Sequence, residues 1–269
     1  MLNRTYVTVI GGLLSLLLLT SCNDNPSSFS DTPPQLPPSS SMQMEFSSFD
    51  FNQKAAGAQM QTVSNYAKAV GIAVTLNNIV ELNLAIPHAL YAAAEEIEPE
   101  FTDDGNWEWS YSHTAGGESY SVLLKASRTS SSSVNWDFYV SNSQLGLSQQ
   151  LFFNGQSNVD GTEGTWNYYS LDDASSETAL STVEWDADLN EDKELRLEVL
   201  DENSDYRGDY IEYSYDGTIK QITYFDSSES STTDLQVDTE TGAGYLKAPN
   251  YNEGEEACWN ENRQDTPCS

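Results

Sequence analysis

The apolar residues of this chain change period once, and that change constrains the fold more than any other feature. From about Gln53 to Glu98, Met60, Val63, Ala67, Val70 and Val74 recur at spacings of three and four. Ile72, Leu76, Ile79, Ile86 and Leu90 continue the stripe, with Asn83 as an interruption. From Asn106 onward the period is two. Trp107, Trp109, Tyr111 and His113 alternate with Glu108, Ser110 and Ser112, and the turn Ala115-Gly116-Gly117 leads to Tyr120, Val122, Leu124 and Ala126. Trp136, Phe138 and Val140 form the next apolar face, and alternating runs follow as far as Gly244 to Lys247. Asp216-Gly217 between two such runs is a hairpin signal. Short strands at regular spacing, with no helix between them, pair with their sequence neighbours in antiparallel fashion.

The expected architecture is therefore α+β. A long N-terminal helix packs on a strongly curved antiparallel meander of about ten strands. Pro87 lacks the N–H that would bond residue 83, so a kink or a division is expected there. Glu95, Glu96 and Glu98 sit at the helix C-terminal end, which the dipole disfavours. Residues 69–94 are apolar on more than one face, which points to a buried helix. Asn77, Asn78, Glu81 and Asn83 oppose the alternative of a membrane span.

The first residues make a different kind of segment. Arg4 and the amino terminus supply a short positive region. Val7 to Leu19 is apolar apart from Thr8 and Ser15, which suits a signal peptide and falls short of the ~20 residues of a spanning helix. Leu19-Thr20-Ser21-Cys22 follows. This run resembles the lipobox of bacterial lipoproteins: a branched apolar residue, two small residues and a cysteine. The resemblance implies removal of residues 1–21 and lipid on Cys22. It also implies a protein anchored in the bacterial cell envelope, at the outer membrane, with the membrane as its first partner. Each buried lipid CH₂ contributes roughly 0.8 kcal/mol, so two or more chains hold a domain firmly.

Residues 22–48 are rich in Ser, Pro, Asn and Asp, with Pro33-Pro34 and Pro37-Pro38, and read as a disordered tether. Residues 49–269 then form a single globular domain: 49–99 helical, 106–248 antiparallel sheet, and 249–269 a tail closed by a disulfide. Two cysteines remain, Cys258 and Cys268, and in an exported chain a bond between them is the economical reading. The order of elements looks like the half-open barrels of lipoprotein-localisation proteins, in which a sheet curls around helices. No motif of that family is matched residue by residue, so the likeness is architectural.

Charge narrows the functional classes. The chain has 11 Lys+Arg against 42 Asp+Glu, a net charge of −31. Nucleic acid is not expected as a partner, because phosphates would be repelled. Six Trp, 15 Tyr and 9 Phe are too many for a disordered acidic chain and require a packed core.

Candidate chemistry is sparse. Of the two histidines, His88 lies in the helical stretch and His113 ends a strand; both read as structural. There is no Gly-x-Ser-x-Gly elbow, phosphate loop or dinucleotide fingerprint. The acidic run from Trp185 to Glu194 sets Asp186, Asp188, Asn190 and Asp192 at alternate positions, as an oxygen-coordinated calcium ion would need. Glu191 stands where such a loop needs Gly, and Leu197 where it needs Glu, so a plain hairpin is the simpler reading. No other cofactor is expected. Trp107, Trp109, Tyr111 and Trp136 invite a sugar platform but fit a core better, while outward-facing Tyr139, Tyr169 and Tyr210 hint at a wet binding face. Three functions follow: a non-catalytic binding or structural module, a carrier of an apolar ligand inside the half-barrel, or a glycan-acting enzyme using paired carboxylates.

Overall fold

The computed structural model describes residues 32–51, 63–172, 178–187 and 192–268. Residues 1–31, with Cys22, lie outside the described residues, as do Met60 in the expected helix and Asp188 and Asn190 in the acidic run.

Among the described residues, one α-helix and one sheet make up the fold. Helix α1 (Asn65–Ala92) is followed by a 3-10 turn (Ala93–Glu96). The strands are β1 (Glu100–Phe101), β2 (Trp107–Ala115), β3 (Glu118–Arg128), β4 (Ser133–Asn142), β5 (Leu147–Asn158), β6 (Glu163–Tyr168) and β7 (Ser181–Ala187). They continue as β8 (Lys193–Val199), β9 (Tyr210–Tyr215), β10 (Ile219–Asp226), β11 (Ser231–Asp238), β12 (Gly244–Lys247), β13 (Ala257–Trp259) and β14 (Asp265–Thr266). All pairs are antiparallel and the spatial order is the sequence order. The meander therefore has 14 strands among the described residues, where about ten were expected. The additions are mostly β1, β13 and β14, of two or three residues each, too short to show a period. The sheet also runs past residue 248 into what read as a closed tail.

Helix α1 begins at Asn65, and positions 53–62 of the expected helical stretch lie outside the described residues. Ser64 caps it, its side chain accepting a bond from Ala67 N–H at 3.2 Å. The helix is not divided at Pro87, which is buried in it; packing around that residue holds the helical path. One stripe is buried: Tyr66, Ala69, Val70, Ala73, Leu76, Ile79, Val80, Leu84, Pro87, Leu90 and Tyr91. Leu82, on the other side, is 83% exposed. The sheet thus covers one face of the helix and does not enclose it.

The curvature of the sheet follows from where α1 touches it. At its N-terminus, Asn65 donates to the Cys258 carbonyl (2.8 Å) and its backbone N–H to Asp265 (2.8 Å), and Tyr66 packs edge-on against Trp259. At its C-terminus, the Leu90 carbonyl accepts from the Tyr111 hydroxyl (2.7 Å), and Tyr91 packs on Phe138, Phe153 and Trp166. One helix thereby meets both flanks, so the sheet must curl toward it, while its end strands β1 and β14 do not pair with each other. Three cross-strand pairs assist the curl: Gly155 opposite Trp166, Gly164 opposite Trp185, and Gly244 opposite Trp259. A Cβ on any of these glycines would fall 2.5 to 2.8 Å from the facing indole ring. Glycine lets the large ring fold over the neighbouring strand and bend it.

The segment expected to be a tether is the main correction. Residues 33–48 are not a spacer. Pro34 and Pro37 are buried, and Met42, Met44, Phe46 and Phe49 belong to the core at 1% to 5% exposure. This strap crosses the inside of the sheet in the direction opposite to α1. Gln35 N–H bonds the Val159 carbonyl (3.4 Å), and Ser41 accepts from the Trp166 indole (3.1 Å). Lys193 bonds the Gln43 carbonyl (3.1 Å), Lys220 pairs with Glu45 (3.3 Å), and Arg263 pairs with Asp50 (3.3 Å). The strap lies toward the rim formed by the β5–β6, β9–β10 and β13–β14 turns. The helix lies toward the other rim, where Ile86 abuts Gly116 in the β2–β3 turn.

Candidate functional site

The inner face of the sheet is packed by other parts of the chain. The strap and α1 occupy it, and Trp136, Phe138, Phe153, Trp166 and Tyr213 pack there essentially without exposure. Three grooves lie mainly along the outer face.

A groove of about 950 Å³ crosses β5 to β10. Strand pairing determines what lines it, because outward residues of adjacent strands stand side by side, with Cβ atoms about 4.5–5.5 Å apart. In one row, Glu163 faces Asp186, Asp186 faces Glu194, Glu194 faces Ser214 and Ser214 faces Gln221. In the next row, Thr165, Glu184, Arg196, Glu212 and Thr223 follow in the same way. Arg196 is held in place: it donates to Glu212 (2.7 Å) and Glu198 (3.3 Å), and its guanidinium lies 3.6 Å from the centre of the Tyr210 ring. Tyr210 in turn stacks on Phe225. Among the described residues, no Lys or Arg bridges Glu163, Asp186 or Glu194. Three like charges abreast on neighbouring strands oppose each other.

A second groove, of about 510 Å³, continues the first at the rim and is lined by Asp186, Asp192, Lys193, Glu194 and Asp216. Asp186 and Asp192, two of the four calcium candidates, therefore share one outer surface, and the other two lie outside the described residues. Lys193 turns its ammonium inward; burial lowers its pKa, with Glu45 opposing that shift. Among the described residues, the only three metal-ligand types whose donor atoms converge within 4.8 Å are Glu256, Cys258 and Cys268. Those cysteines are joined, S–S 2.07 Å, so the expected disulfide is present and no thiolate is offered to a metal.

The remaining sequence candidates fall elsewhere. Trp109 and Trp136 are core residues, ring centroids 5.7 Å apart, and Trp107 packs on Phe101. His113 is exposed, opposite Tyr120. Burial pushes the His88 imidazole below its ordinary value, against the opposing fields of Glu95 and Glu81. Tyr139 lines a smaller outer groove with Glu108, Ser110, Ser121 and Ser141, and Tyr169 donates to Asn154 (3.2 Å). Arg196, Lys193 and Lys220 were not anticipated as special. The partner rows were readable only in principle, since they need the register of six strands. Comparisons with protein-family models, with curated proteins and with solved structures gave no match.

Proposed function

We propose that this chain is a lipid-anchored protein of the bacterial envelope that acts as a non-catalytic binding module, taking a positively charged ligand on the outer face of its sheet. The observation that carries the reading is the Glu163–Asp186–Glu194 row along a groove of about 950 Å³ whose single cation, Arg196, is already engaged. The three carboxylates do not converge within ion-coordinating distance, which favours an extended polycation over one bound metal ion. They also project from one side of one sheet, whereas glycoside hydrolysis sets two carboxylates on opposite sides of the sugar. A packed inner face speaks against the carrier reading.

The test compares two variants of equal charge. Glu163→Gln, Asp186→Asn and Glu194→Gln together should weaken binding of a hexalysine peptide, followed by fluorescence anisotropy at low salt, by about tenfold or more. Neutralising Glu202, Glu229 and Glu240, which lie on loops outside the groove, should leave it nearly unchanged. Equal effects of the two triple variants would show only a response to net charge and would discard the groove.

A further inference from the structure

The strap fixes where the domain stands on its membrane, given the lipid anchor proposed above. Pro34, Pro37, Met42, Met44, Phe46 and Phe49 are buried, so the described chain starts on the domain at the β5–β6 turn, where Gln35 bonds Val159 and a Cβ on Gly161 would meet the Gln35 carbonyl at 2.9 Å. Ten residue steps separate Thr32 from Cys22, and they span no more than about 35 Å however they are arranged. The strands are up to 12 residues long, so the sheet stands up to about 40 Å tall between its two rims. Turning the far rim to the bilayer would use the whole of that length along the side of the domain. The near rim needs almost none of it. Both acidic grooves reach this near rim: Ser132, Asn158 and Glu163 line the first there, and Asp192 and Asp216 line the second.

We infer that the rim carrying the β5–β6 turn faces the anchoring bilayer and presents the acidic groove to cationic groups held at the surface of that same membrane.

The full lipidated protein, extracted from its host membrane and reconstituted in vesicles, provides the test. Asp160→Cys (near rim) and Glu229→Cys (far rim) each give the one thiol not taken by lipid or disulfide, and each is labelled with a nitroxide. Nickel chelated on lipid headgroups should relax the label at position 160 strongly and the label at 229 no more than nickel-free vesicles do. Insertion of a long Gly/Ser spacer after Asn25 should remove the difference while the protein still floats with the vesicles. A protein that does not float overturns the anchor and this orientation with it. A floating protein whose two labels relax equally overturns the orientation alone, as does a difference that survives the spacer.

Discussion

On the inner face of the sheet, Trp136, Trp166 and Trp259 are buried and each indole N–H has a partner: Ser157, Ser41 and the Gly242 carbonyl. On the outer face of the same sheet, β6 to β9 carry Glu163, Asp186, Glu194 and Glu212, and among the described residues only Glu212 of these four meets a cation, the surface guanidinium of Arg196. The inner face is governed by volume and the outer face by charge. A change of shape inside removes dispersion contacts and leaves a void. A change of charge outside is screened by water and salt. Stability should therefore depend on the inner face and ligand chemistry on the outer one.

The largest expected effect tests the inner face directly. Trp166→Ala deletes an unexposed ring that contacts Tyr91, Phe153 and Trp185, and should cost about 3–5 kcal/mol by urea unfolding. Phe46→Ala in the strap should likewise cost about 3–5 kcal/mol. A loss of under half a kcal/mol there would mean that the strap is a tether after all. Reducing the Cys258–Cys268 disulfide, which closes a separation of 10 residues, should cost about 2–3 kcal/mol by the loop-entropy model. The loss should be greatest at the α1 N-terminus, where Asn65 bonds Cys258 and Asp265, and amide exchange would locate it. Arg196→Ala on the outer face should cost no more than about 1 kcal/mol, since its two ion pairs are partly exposed. If it rivals Trp166→Ala, the contrast between the faces fails.

The smallest effect is a pH dependence. Asp216, Asp226 and Asp238 sit in turns at strand ends. Their carboxyls are held below the ordinary value chiefly by Ile219 N–H, the Ser228 hydroxyl and Thr241 N–H respectively. A folded value below the unfolded one stabilises above the unfolded value of 3.8; the stabilisation is lost as pH falls through the folded value. Acid titration of unfolding should show this loss below about pH 4, and Asn at the three positions should flatten it.

Much of the fold was legible because its period is local. Alternation from Trp107 to Lys247 needs only neighbouring residues to be recognised, and Asp216-Gly217 marks its own turn, with Gly217 at φ +85°. The strap was misread for a physical reason. Met42, Met44 and Phe46 alternate as a strand would, but the surrounding Ser and Pro carry the composition of a spacer, and the segment earns its place only by contact with Trp166, Lys193 and Lys220 far along the chain. The acidic site was half legible. Asp186 and Asp192 stood out in sequence, whereas Glu163 joins Asp186 only through β6–β7 register.

By itself the sequence determined what short-range physics controls: one helix, then antiparallel strands, and a disulfide between the last two cysteines. Tertiary structure alone decided that both flanks of the sheet meet one helix, that the strap fills the interior, and that three carboxylates from separate strands stand in a row. Those are contacts between residues many positions apart, and burial or register, not composition, is what brings such residues together.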